Sequence, residues 1–264
     1  MNMLGTLVVL HAHPDDEAIF TGATIRRAAD SGARVVLVTA TGGEAGRPRI
    51  ALAEGEALHR RRVVELERAC EVLGVARLVL LNYHDSGAHA GPYRPGSLGA
   101  TPAANVADRV EAVVREEAAA ALAYYDRGGI YPHVDHLQVH RAGARVVART
   151  GITGYEATVD REALRAGPYH VVQSAADDSP DIGVPPGEVS CAIQADGTEL
   201  LAKMAAMSAH ASQIGPRWLD PTRFAATYGR EWFVRRGDAG LLDALTANRP
   251  TTRARRTPEP VAAR

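Results

Sequence analysis

Two short segments carry most of the side chains able to do chemistry. The first, His11-Ala12-His13-Pro14-Asp15-Asp16-Glu17, sets two imidazoles and three consecutive carboxylates directly after an apolar run. The second, Tyr131-Pro132-His133-Val134-Asp135-His136, is another His/Asp cluster far downstream. Zn²⁺ takes imidazole nitrogen and carboxylate oxygen, and a catalytic site typically uses three protein ligands and leaves a position for water. Histidine, aspartate and histidine drawn from the two segments supply such a set. Taken alone, the first segment has a plainer use, because Asp15 and Asp16 can satisfy free N–H groups at a helix start. The second weighs against that use, since His133, Asp135 and His136 are too many titratable groups for a helix cap.

The elements that must position these groups follow from apolar periodicity. Residues 6–12 read as a strand and 17–31 as a helix, with Ile19, Ala23, Ile25 and Ala28 at helical spacing before Gly32. Strands are then predicted at 34–40, 77–83 and 121–126, and helices at 57–74, 106–120 and 136–150. Near-continuous apolar strands between helices predict a Rossmann-like, open, mostly parallel α/β sheet with helices on both faces over residues 1–150. Both clusters then fall at carboxyl ends of strands, where ligands of such sheets gather. A Gly/Pro-rich loop at 84–104 is expected over the site. Beyond 150 the texture changes to short strand candidates at 154–159, 169–174 and 189–194, a loop at 177–188 and a helix at 200–214. Residues 151–248 are read as a small C-terminal α+β extension of the same domain that completes the pocket. Residues 249–264, rich in Arg, Pro and Thr, are read as a disordered tail.

Bulk properties narrow the partners. The 264 residues carry 30 Lys and Arg against 31 Asp and Glu, a net charge of -1, which gives no long-range reason to bind nucleic acid or an anionic membrane. A small molecule is the expected partner, and homo-oligomerisation is left open. Only Cys70 and Cys191 are present, which argues against a disulfide framework and suits a reducing cytoplasm. The opening MNMLGTLVVLHAH lacks a positive n-region, and no stretch approaches the roughly 18 to 20 apolar residues that span a bilayer. The expectation is a soluble, cytoplasmic protein without membrane insertion. A dinucleotide-binding oxidoreductase, which the sheet pattern also suggests, is disfavoured: HPDDE stands where such a fold needs G-x-G-x-x-G, and acids there repel phosphate.

HAHPDDEAIFTGATI, residues 11–25, resembles the signature of the LmbE-like or PIG-L family of zinc-dependent N-deacetylases. ATGGEAG at 40–46, the Arg62 to Glu65 spacing in RRVVELERACEVLG, and AHASQ at 209–213 are similar to further family motifs, so the resemblance runs over about residues 5–215. It implies a Rossmann-like fold, Zn²⁺ on His13, Asp16 and His136, and Asp15 as general base. Zinc lowers the pKa of its bound water toward about 7, so a neighbouring carboxylate outside the ligand set can take that proton and return it to the leaving amine. His133, if protonated, would stabilise the oxyanion, with Tyr131 a second donor and Asp135 fixing a histidine tautomer. Arg62 and Asp85 would bind substrate hydroxyls. The implied reaction removes an acetyl group from an N-acetylated amino sugar or glycoconjugate. An amidase for a larger acyl group, such as a thiol-conjugate amidase, would use the same groups, whereas a metal-free binding module would not need to keep them all. The family usually reads Gly-His-Pro-Asp-His at the second cluster; Pro132 and Val134 here alter loop freedom rather than chemical groups. Glu17 is expected as a helper or a helix-dipole partner, His11, His84 and His140 as structural histidines, and His210 as packing or pocket lining.

Overall fold

Among the described residues the apolar runs assemble into one seven-stranded sheet. The computed structural model describes residues 4–88, 92–168, 170–173 and 181–247. Its strands are β1 (Thr6–His11), β2 (Arg34–Thr41), β3 (Arg77–Tyr83), β4 (Ala119–Tyr125), β5 (Thr153–Thr158), β6 (Cys191–Gln194) and β7 (Arg230–Arg236). They lie in the order β3-β2-β1-β4-β5-β7-β6. The first five are parallel, β7 runs antiparallel to β5, and β6 antiparallel to β7. All of β1 and all but Arg34 of β2 are buried, which is why both read as unbroken apolar runs.

The helices are α1 (Asp16–Phe20), α2 (Gly22–Asp30), α3 (Leu58–Leu73), α4 (Ala103–Glu116), α5 (Val134–Thr150), α6 (Arg161–Ala166), α7 (Gly197–Ala209), α8 (Pro221–Tyr228) and α9 (Leu241–Ala247). β1 to β3 step one way across the sheet and β4 to β5 step the other. Right-handed crossovers therefore put α2 and α3 on one face and α4 and α5 on the other. In keeping with this, α4 packs on α5, while α7 returns from the C-terminal part to pack on α2 and α3. The reversal falls between β1 and β4, so the loops after these two strands open side by side.

The structure departs from the sequence expectation in several elements. The helix expected over 17–31 breaks at Thr21, which separates α1 from α2. The break is held from outside: Glu231 of β7 accepts from the N–H groups of Ala23 and Thr24 at 2.9 and 2.8 Å, capping α2 from across the fold. The helix expected over 106–120 stops at Glu116, Ala118 takes a left-handed φ of 46°, and Ala119 begins β4. Alanines suit either state, so the pattern there cannot place the boundary. The strand expected at 169–174 is instead a turn over His170–Gln173, where His170 Nδ1 accepts from the Val172 N–H; Tyr169 and Ser174 lie outside the described residues. Finally, α6, β7, α8 and α9 were not expected, and β7 inserts between β5 and β6. The segment 249–264 lies outside the described residues. No helix among the described residues is long and apolar enough to cross a membrane.

Glu231 also pairs with Lys203 of α7 at 2.6 Å, and the two residues are only 3% and 1% exposed. Removing one partner of a buried pair leaves an uncompensated charge, and here it also uncaps α2. Glu231→Ala is therefore expected to lower unfolding free energy by roughly 3–5 kcal/mol in a urea titration. A loss under about 1 kcal/mol would mean that water reaches the pair.

Candidate metal centre

β1 ends at His11 and β4 at Tyr125, and the turns that follow bring the two clusters together. Asp16 Oδ2 lies 3.4 Å from His13 Nδ1 and 3.5 Å from His136 Nε2. Donors about 2.0–2.1 Å from a tetrahedral ion lie about 3.3–3.4 Å apart, so these separations fit one ion at the centre. His136 supplies the sharper observation. Its Nδ1 donates to the Gly129 carbonyl at 2.9 Å, while its Nε2 is buried and has no hydrogen-bond partner among the described residues. That leaves an imidazole lone pair facing a carboxylate oxygen, an arrangement that calls for a cation between them.

The residues behind these donors fix their orientation. His13 Nε2 lies 3.2 Å from Asp135 Oδ2, and Asp135 accepts from the N–H and the hydroxyl of Ser86. Burial opposes charge on His13, but the carboxylates of Asp135, Asp16 and Asp85 outweigh it and raise the imidazole pKa well above its ordinary value. A proton at Nδ1 and a metal ion thus compete for one place. Gly129 has φ 70°, and a Cβ there would come within 2.8 Å of His136 Cβ, so only glycine lets this carbonyl approach the ring.

Tyr125 was read only as a strand residue, yet its hydroxyl donates to Asp16 Oδ2 at 2.7 Å and accepts from the Ala12 N–H at 3.0 Å. Its ring stacks on His136 with centroids 4.4 Å apart. Behind it, His11 bridges the Tyr125 hydroxyl at 3.0 Å and Thr21 Oγ1 at 2.8 Å, and burial lowers the His11 pKa to about 4, so this imidazole is neutral. A tyrosine ending an apolar strand is the one local signal of such a role. If Asp16 is a ligand, Tyr125→Phe should weaken metal affinity about 10- to 100-fold in a chelator competition. Unchanged affinity would show that the Tyr125 hydroxyl does not tune that carboxylate.

The remaining expected residues gather on the same cluster. Asp15 is held at φ 100° with Arg62 Nη2 3.4 Å from its Oδ2. Burial raises the Asp15 carboxyl to about 6, with Arg62 opposing. Arg62 donates to the carbonyls of Gly43 and Pro14, and Asp85 accepts from the N–H groups of Ala45 and Gly87, so each has partners within the protein besides any substrate. Asp85 Oδ1 also lies 3.7 Å from His13 Nε2. His133 caps α5: its Nδ1 accepts from the Asp135 N–H at 3.2 Å. Burial, with His13 and His136 nearby, lowers its pKa to about 4. A neutral ring with Nδ1 engaged in this way carries its proton on Nε2. The Tyr131 ring lies 4.4 Å from that of His136, and burial keeps its hydroxyl protonated. The nitrogens of His13, His133 and His136 also lie within 4.8 Å of one another. His133 Nδ1 is engaged by the helix cap, whereas Asp16 Oδ2 lies within 3.5 Å of both His13 Nδ1 and His136 Nε2. His84 pairs with Glu44, and His140 Nδ1 lies 3.1 Å from the Tyr125 carbonyl.

A mostly parallel α/β sheet with a His/Asp cluster at its switch point, where a metal ion could be held, defines a Rossmann-like protein. The chain belongs to the PIG-L family: the model described as GlcNAc-PI de-N-acetylase matches residues 8–147. The 1D-myo-inositol 2-acetamido-2-deoxy-alpha-D-glucopyranoside deacetylase of Kineococcus radiotolerans is 38% identical, over 79% of this chain and 68% of that protein. Among solved structures, the antimicrobial reagent A40926 pseudoaglycone deacetylase superposes with a TM-score of 0.63 at 18% identity, over 89% of this chain and 98% of the other. The N,N'-diacetylchitobiose deacetylase of Pyrococcus horikoshii gives 0.59 at 21%, over 95% and 88%. These two likenesses are of fold.

Proposed function

We propose that the chain is a zinc-dependent N-deacetylase that hydrolyses the acetamide of an N-acetylglucosamine glycoside. The observation that carries this reading is the partnerless His136 Nε2 facing Asp16 Oδ2, beside an aspartate, Asp15, that lies outside the donor set. His13, Asp16 and His136 would hold the ion, which when bound supplies Lewis acidity toward water and the acyl oxygen.

Asp15 takes a proton from the attacking water and returns it to the amine nitrogen as the C–N bond breaks, giving acetate and a free amine. A carboxyl raised to about 6 suits both steps near neutral pH. His133 Nε2–H and the Tyr131 hydroxyl donate to the oxyanion that develops on the acyl carbon. Arg62 holds the Asp15 turn through the Pro14 carbonyl, and Asp85 joins the 42–46 loop to the 84–87 loop. A cavity of about 550 Å³ beyond Ile130 and Pro132, bordered by Arg161 and Val184, offers room for the distal part of a glycoside. Both cysteines are free and buried, which fits a reducing compartment such as the cytoplasm.

The test is acetate release from 1D-myo-inositol 2-acetamido-2-deoxy-α-D-glucopyranoside and N,N'-diacetylchitobiose by protein loaded in turn with Zn²⁺, Fe²⁺ and Co²⁺. Turnover that a chelator abolishes and zinc restores is expected. If the metal-loaded chain releases no acetate from these but hydrolyses the same glycosides bearing a longer N-acyl group, it is an amidase instead.

A further inference from the structure

We infer that the buried Glu17–His210 pair positions Asp15, so that the C-terminal turn of α7 sets the geometry of the general base; this rests on the deacetylase reading. Asp15 occupies φ 100°, ψ −30°, a region that residues with a Cβ rarely adopt and keep only when their surroundings enforce it. One enforcing contact is identifiable. The Asp15 N–H donates to Glu17 Oε2 at 3.0 Å. Glu17 is fully buried, and its other oxygen, Oε1, accepts from His210 Nε2 at 2.6 Å.

His210 is itself anchored. It is fully buried at the C-cap of α7, and its carbonyl accepts from the N–H groups of Gln213 and Ile214 at 2.9 and 2.8 Å. Ser212 in the same turn donates through both N–H and hydroxyl to Glu65 of α3, at 3.0 and 2.6 Å. The AHASQ motif thereby becomes a bracket: Ser212 fixes the turn to α3, and His210 reaches from it to Glu17. Packing does not require an ionisable pair here, since apolar residues of similar volume fill such a place at least as well. What they cannot do is accept the Asp15 N–H while being held from the far side.

The experiment uses the full-length, zinc-loaded chain with 1D-myo-inositol 2-acetamido-2-deoxy-α-D-glucopyranoside. His210→Phe keeps an aromatic ring at the position and removes the donor. It is expected to lower kcat about 10- to 100-fold, as a misplacement of up to about 1 Å does, with KM and zinc affinity each within about threefold of wild type. His210→Gln, which returns an N–H near the place of Nε2, should recover most of that loss. If His210→Phe does not fold, the near-isosteric Glu17→Gln is measured instead, with a loss of about tenfold expected on the same grounds. Amide hydrogen exchange at Asp15 gives a readout independent of turnover, and it should be faster in either variant than in wild type. Unchanged kcat and unchanged Asp15 exchange overturn the inference, and so does a parallel fall of kcat and zinc affinity, which would place the effect on Asp16. If the wild-type chain turns over no N-acetyl glycoside, the deacetylase reading fails on its own account, and Asp15 exchange alone then decides whether the pair holds that turn.

Discussion

Asp15→Asn is expected to give a folded protein that retains one equivalent of zinc and turns over about 10²- to 10⁴-fold more slowly than wild type, the usual range for losing a general acid–base group. Asparagine is chosen over alanine because it tolerates a positive φ, so the backbone at 100° is not the thing tested. The amide keeps the shape of the carboxyl but cannot accept a proton. Asp15 contributes none of the three donors that converge between His13, Asp16 and His136, so metal content measured by elemental analysis should stay stoichiometric. Turnover close to wild type would remove Asp15 from the mechanism. Loss of metal together with turnover would make it a ligand.

The second large effect is on the metal itself. His136 is fully buried between the rings of Tyr125 and Tyr131, and its orientation is set by the Gly129 carbonyl. His136→Ala removes a proposed ligand rather than a supporting group, so affinity should fall by more than the roughly 100-fold that a supporting residue can cost. The readout is thermal unfolding with and without zinc. Saturation at about 100 times Kd stabilises a protein by about 2.7 kcal/mol, and the variant should show none of that gain at the same concentration. Should His136→Ala keep the full zinc-dependent shift, the ion sits elsewhere, and His13 with Asp85 and Asp135 is another group of the described residues able to hold it.

Much of the architecture could be read from residue order. β3 begins and ends where expected, and α3 lies within a residue of its expected span at each end, because apolar runs bounded by glycine or polar residues leave little freedom. Both site clusters were visible for a related reason: acids and histidines crowded after an apolar strand have few structural uses. What was not legible depends on partners distant in sequence. Thr21 breaks a helical pattern because Glu231 caps the second piece, and nothing near residue 21 announces that. β7 joins the sheet out of chain order, and its REWFVRR carries a buried glutamate that local patterning cannot justify without Lys203. Tyr125 looked like any apolar strand residue until its hydroxyl was seen against Asp16. The Nε2 tautomer of His133 follows from its cap on α5, which is geometry rather than composition.

The insertion of β7 between β5 and β6 bears on biosynthesis. Every proposed ligand lies before residue 150, yet α2 is capped by Glu231, Arg27 pairs with Glu199, and Glu17 is held by His210. Until the ribosome has delivered β7, β5 presents an unpaired edge and the amino-terminal half has the residues of the centre without the contacts that hold them. On the proposed ligand set, metal loading therefore follows the synthesis of β7, and a fragment cut at residue 150 would be a client for chaperones rather than a smaller enzyme.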